Sequence, residues 1–437
     1  MKFVYFFFIV LFITSCNKEN PPEVQETEYF AKLLSGNQQS GLINQELDSP
    51  IIIEITDENG QNYSKANMSF LTPNGNLFSE FKLFSQPYYV HWLLGCSIGI
   101  QNALIVIKDS AEIPIDTINI SATARKDPLW NRVCGLPLAT DNGQFKFSPI
   151  AKFIKHPDGS LYTIAFPAAY SSLYVSSDNG ESWSKKYTLN DYFRINDLTI
   201  NNSGDFFMSA ENGLFKSHDC ISWIKIIDKP IARCFALDSK TLFACGSASP
   251  EIYRSDNNGE TWNETIISYT KNNVIKYAEY ILQAEKIGED KILLFNGDLL
   301  ISNDNGLSWN IFDNTTKFYI SGFLVKNNII YLATIAGPMI YMTDLDNISW
   351  TLLCTLKHHT FDPYQACEIY NYADNLFVLT DHCIYKIKQN GDTLNITTNI
   401  WSKIDGISKF IISANGNLVV GSEYKDNGVF YSKINVP

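Results

Sequence analysis

Ser176-Ser177-Asp178-Asn179-Gly180-Glu181-Ser182-Trp183 returns as Ser302-Asn303-Asp304-Asn305-Gly306-Leu307-Ser308-Trp309. Ser255-Asp256-Asn257-Asn258-Gly259-Glu260-Thr261-Trp262 keeps the same frame with Asn257 at the Asp position. Two degenerate copies follow the pattern less closely. One ends at Trp223, where Ser217-His218-Asp219-Cys220-Ile221-Ser222 is a residue short; the other ends at Trp350, with Leu345 at the Asp position. Successive tryptophans lie 40, 39, 47 and 41 residues apart. A period of about 40–50 residues with about four short strands per unit is that of a propeller blade.

The residue types explain one another. The carboxylate of Asp178 or Asp304 accepts bonds from turn amides and from the Ser or Thr hydroxyl. Gly180, Gly259 and Gly306 permit positive φ, and Trp183, Trp262 and Trp309 offer a flat face for packing against a neighbouring sheet. Such a box fastens a hairpin, so Asp178, Asp219, Asn257 and Asp304 are read as structural. Units at 366–396 and 407–434 lack the box but keep the strand rhythm, for example Leu376-Phe377-Val378-Leu379 and Leu418-Val419-Val420-Gly421. With a first unit from Lys146 the expected count is seven blades, or six if a terminal unit is irregular or shared in closure.

The motif S-x-D-x-G-x-S/T-W resembles the Asp-box, or BNR repeat, of sialidases, sortilin-type receptors and photosystem-assembly-factor-like propellers. The resemblance implies a propeller at 146–437 with the boxes on its perimeter, away from the ligand site. It also raises the question of sialidase chemistry, which uses three converging arginines and a Tyr nucleophile beside a Glu. That family has a Phe/Tyr-Arg-Ile-Pro motif before the first box; here Phe193-Arg194-Ile195-Asn196 lacks the proline and follows the box. Only five arginines exist, Arg125, Arg132, Arg194, Arg233 and Arg254, and Arg254 directly precedes a box serine.

Upstream, short apolar runs such as Ile51-Ile52-Ile53-Glu54-Ile55 and Ala103-Leu104-Ile105-Val106-Ile107 alternate with turn signals, which predicts a β-sandwich over 34–124. Ser35–Gly41, Ile53–Gly60 and Trp92-Leu93-Leu94-Gly95 resemble bacterial Ig-like domains of the invasin type, which implies a spacer or adhesin module. Residues 125–145, with Asp127-Pro128 and Gly135-Leu136-Pro137, read as a connector.

Lys2 followed by an apolar run to Ile13, then Thr14-Ser15-Cys16, reads as a signal peptide over 1–15. Small residues before a cysteine resemble the bacterial lipobox, which implies acylation of Cys16 and, with Asn17 next, an outer-membrane anchor, surface-exposed. Residues 16–33 carry Pro21, Pro22 and several Glu and read as a tether.

Composition sets the remaining bounds. The chain has 437 residues, 45% hydrophobic, 14% aromatic and 18% charged, with a net charge of −12. This provides ample core for an all-β fold and offers nucleic acid no basic block. Histidines show no HExxH spacing, cysteines no CxxC pair, and no GxSxG elbow or P-loop occurs, so no metal, cofactor or catalytic residue is assigned. Cys234 and Cys245 would face one another across a hairpin turning at Ser239-Lys240, or else are two buried core residues.

Arg194 and Arg233 follow their preceding box tryptophans by 11 and 10 residues, which would place both at the start of inner strands near one channel mouth. Lys276, Tyr319 and Tyr364 fall at comparable stations. Cations and tyrosines around a concave mouth suit an acidic or sugar-like ligand. The expected function is therefore non-catalytic recognition of a glycan or protein partner by a monomer. A sialidase-like or other propeller glycoside hydrolase and an envelope assembly factor are the alternatives.

Overall fold

A computed structural model describes residues 27–79, 86–141, 144–166, 171–189, 193–247, 251–313, 319–335, 339–356, 368–380, 383–397, 400, 407–422 and 428–432. Cys16 and Tyr364 lie outside them. All regular elements among the described residues are strands.

Two four-stranded sheets precede the repeats. One orders strands Tyr29–Ser35, Ile51–Asp57, Tyr88–Leu93 and Asn76–Ser79; the other orders Gln39–Leu42, Pro114–Arg125, Gly99–Lys108 and Asn67–Leu71. Period-two alternation builds the core between them. Ile51, Ile53, Ile55, Val90 and Trp92 from one sheet pack with Ala103, Ile105, Ile107, Ile118 and Ile120 from the other.

Beyond them the described residues form seven four-stranded sheets, numbered I to VII in chain order: 150–188, 195–227, 231–265, 283–311, 320–355, 368–395 and 409–432. In sheets I to VI the chain runs antiparallel from the first strand out to the fourth. First strands contact one another: that of sheet I meets those of II and VII, II meets III, IV meets V, and V meets VI. They form the inner ring, and the units at 366–396 and 407–434 that lack the box are sheets VI and VII.

The stretch 125–145 is not only a connector. Trp130–Arg132 forms the fourth strand of sheet VII, antiparallel to Val429–Ser432, so the beginning and end of the repeat region share one sheet. Trp130 and Phe430 are buried together in that seam. Three residues carry too short a pattern to announce a strand, and their partner is some 300 residues away. Past the strand, Val133 donates to the Val429 carbonyl and Trp183 donates to the Cys134 carbonyl, which fastens the seam to sheet I. Gly135 permits this approach: at φ 82°, a Cβ there would sit 1.8 Å from the Trp183 carbonyl oxygen.

A disulfide joins Cys96, in the loop after Tyr88–Leu93, to Cys134. The side chain of Asn44 also donates to the Val133 carbonyl, so the two-sheet unit grips the strand that closes the ring. Cys234 and Cys245 are both free and buried. Their register explains why: Cys234 pairs with Ala244, and Cys245 with Arg233.

Candidate functional site

Antiparallel order gives the ring two distinct ends. The starts of first strands, the second-to-third turns and the fourth-to-first links share one end, called here the near end. The third-to-fourth turns, which contain the repeated boxes, lie at the far end.

At the far end the box chemistry is consumed locally. The Ser302 hydroxyl donates to Asp304 at 2.7 Å and accepts from the Gly306 amide at 2.7 Å. Asp304 accepts from the Ser308 amide at 2.8 Å and from the Ser308 hydroxyl. The Ser308 hydroxyl and amide hold the Asp304 carboxyl down at about 2. Burial opposes ionisation of Asp178, but bonds from Ser182 and Ser176 outweigh it and keep that carboxyl below its usual range. Asn257 makes the same bonds with an amide, accepting from the Thr261 amide and donating to its hydroxyl, each at 2.9 Å.

The degenerate copies improvise. Cys220 takes the glycine position with φ 60° and donates to the Ser217 hydroxyl, while Asp219 accepts from the Ile221 and Ser222 amides. Beside Leu345, Asp344 accepts from the Asp346 and Asn347 amides, and the Trp350 indole reaches Asp313 at 2.7 Å. The boxes also join neighbouring sheets. Gly180 packs on Val419 and Gly306 on Phe243, each on the second strand of the preceding sheet.

At the near end a hollow of about 350 Å³ is lined by Ala151, Phe166, Arg194, Asn196, Ala232 and Ser247. The Arg194 guanidinium lies 4.7 Å from the Phe166 ring centre and is exposed. Its backbone is held in place: the Arg194 amide donates to the Glu211 carboxylate at 3.3 Å, and the Glu211 amide returns a bond to the Arg194 carbonyl at 3.2 Å. Asn196 donates to the Ile231 carbonyl at 2.8 Å, tying sheet II to sheet III.

The stations assigned from sequence separate here. In sheets I, II, III and V the first strand opens on Ile150, Ile195, Ile231 or Ile320, each pairing with the last residue of the second strand before the register slips. Arg194 and Tyr319 both stand one residue before that anchor, and Tyr319 is exposed. Arg233 stands two residues after it, level with Lys152 and Asp197. Counting from tryptophan could not see this, because the links between sheets differ in length. Arg233 donates to the Leu282 carbonyl at 2.9 Å and so fastens sheet III to sheet IV. Lys152 pairs with Asp197 at 2.6 Å and Lys409 with Glu368 at 2.8 Å in the same way. Lys276 lies on no first strand; it belongs to the hairpin Ser268–Lys271 and Val274–Tyr277.

Where four first strands converge, a second hollow of about 270 Å³ is lined by residues including Lys152, Thr199, Tyr370, Tyr372 and Ile411. On the first strand of sheet IV, burial pushes the Glu285 carboxyl up to about 7, partly offset by a backbone bond from Val325.

The arginines do not form a triad. Arg254, on a third strand, is buried and gives two bonds to Asp256, at 3.0 and 2.7 Å. Arg132 lies between the rings of Phe147 and Phe430, 3.6 and 4.8 Å away, and burial lowers its pKa to about 9.

A family profile described as the DUF6242 beta propeller domain matches residues 151–275. The chain contains a β-propeller domain. No curated protein matches it. Among solved structures, YCF48 from Cyanidioschyzon merolae aligns with a TM-score of 0.48 at 13% identity, covering 70% of this chain and 98% of its own. A quinonprotein alcohol dehydrogenase-like protein from Bacteroides thetaiotaomicron aligns at 0.40 and 13%, covering 84% and 96%.

Proposed function

We propose that the chain is a cell-envelope lipoprotein, anchored through Cys16 in the outer membrane and facing outward, that holds a glycan bearing an acidic group without cleaving it. The tether runs over 16–33, an Ig-like spacer over 34–124, and a seven-bladed Asp-box propeller over the remainder, closed by Trp130–Arg132. The Cys96–Cys134 disulfide suits an oxidising compartment. The protein acts as a monomer.

The observation that carries this reading is the Arg194 guanidinium over Phe166, in a near-end hollow with Asn196 and Ser247 at its edge. A guanidinium matches a carboxylate bidentately, the Phe166 ring supports it, and amide and hydroxyl groups meet a sugar's hydroxyls. The box carboxylates at the far end are already saturated by their own turns.

The test incubates soluble protein lacking residues 1–16 with a fluorogenic sialoside and a panel of neutral and acidic glycans. Acidic glycans retained without release of the fluorophore are expected. Sustained turnover, or retention of no glycan, would overturn the reading.

A further inference from the structure

Between sheets III and IV the chain makes an excursion; the link into sheet I carries the other two-stranded sheet, Leu138–Asp141 with Gln144–Phe147. Strands Ser268–Lys271 and Val274–Tyr277 form a separate two-stranded sheet at the near end. Asn272 and Asn273 turn it with φ 52° and 62°, as a two-residue hairpin requires. The base is anchored: Ile267, Tyr269, Ala278 and Ile281 join the core around Trp309, and Tyr269 donates to Asp298 at 2.9 Å.

The outer strand is different. Val274, Ile275 and Tyr277 are 58%, 64% and 63% exposed, on a strand that, among the described residues, pairs only with its own hairpin partner. Lys271–Val274 and Tyr269–Lys276 are the pairs that exchange bonds across a two-residue hairpin, in phase with the 2.8 Å bond from Ala278 to Ile267. The amide and carbonyl of Ile275 and Tyr277 therefore point outward, along a free edge. Edges of this kind are usually blunted or covered. Lys276 stands between them, exposed, with no ion pair to any described residue.

We infer that this edge is a docking strand for an extended segment of a partner protein, which adds to the sheet next to Ile275 and Tyr277. Outward donor–acceptor pairs two residues apart are satisfied by another β-strand. The segment places apolar residues over Ile275 and Tyr277 and a carboxylate against Lys276. A second copy of this chain is the poorer occupant, since antiparallel pairing about Lys276 would set two lysines opposite one another.

The experiment uses the full chain and two synthetic probes, acetyl-(Val-Glu)4-amide and acetyl-(Val-Lys)4-amide. The first is expected to bind at least tenfold tighter and to slow amide exchange at Ile275 and Tyr277. Ile275→Pro removes an outward amide and leaves the hairpin's own bonds in place; it should lose at least tenfold with an unchanged melting temperature. Lys276→Glu should reverse the probe preference, and Arg194→Ala should leave it intact, which separates this edge from the glycan hollow. Failure of both probes to bind, equal binding by Ile275→Pro, or a wild-type dimer that Ile275→Pro makes monomeric would each overturn the inference.

Discussion

Asp304 shows how much of this molecule is decided by single hydrogen bonds. Its carboxyl titrates at about 2, against an ordinary 3.8, because Ser308 and Ser302 bind the ionised form. A depressed carboxyl adds stability that is complete above about pH 4 and is lost as pH falls through 2. The melting temperature should therefore fall between pH 5 and pH 2.5, and less steeply in Asp304→Asn. Asn257 already performs the same task, so Asp304→Asn should stay close to wild type at neutral pH. Asp304→Ala should cost about 1 kcal/mol, read by denaturant unfolding. The residue scale was the most legible. Ser, Asp, Gly and Trp at fixed offsets announce a turn because each answers a local geometric demand. Cys220 could not be foreseen in the glycine role, since a non-glycine at positive φ leaves no mark in the sequence.

Elements were legible where they repeat. The strands of the two-sheet unit follow their alternation, and the 47-residue spacing between Trp262 and Trp309 contains the extra hairpin. Trp130–Arg132 was not legible, because its strand character comes from Val429–Ser432 rather than from its own three residues. The Cys96–Cys134 bond ties this closing strand to the N-terminal sheets over a separation of 38 residues. Closing a loop of that length contributes about 4 kcal/mol in the chain-entropy account. Replacing both cysteines by Ser should lower the melting temperature by several degrees and speed proteolysis of the seam near Val133. A variant as stable and as protease-resistant as wild type would show that the seam holds without its clasp.

At the scale of the whole molecule, the ring separates two tasks by its two ends. The far end carries the box turns, whose carboxylates are satisfied within the turns and whose glycines at Gly180 and Gly306 pack on the preceding sheet. The near end carries the Arg194 hollow, Tyr319 and the free-edged hairpin. Sequence spacing set Arg194 and Arg233 at one station; relative to the anchoring isoleucines they stand at different ones. Links of different length before the anchoring isoleucines set Arg233 three residues away from the Arg194 station. There its guanidinium bonds to the Leu282 carbonyl, while that of Arg194 stays over the hollow. The measurement that tests this division most directly is binding of the acidic glycan panel by Arg194→Ala and Arg233→Ala, side by side with wild type. Arg194→Ala should lose at least tenfold in affinity with its melting temperature unchanged, and Arg233→Ala should keep wild-type affinity with lower stability. Wild-type affinity in Arg194→Ala would contradict the account.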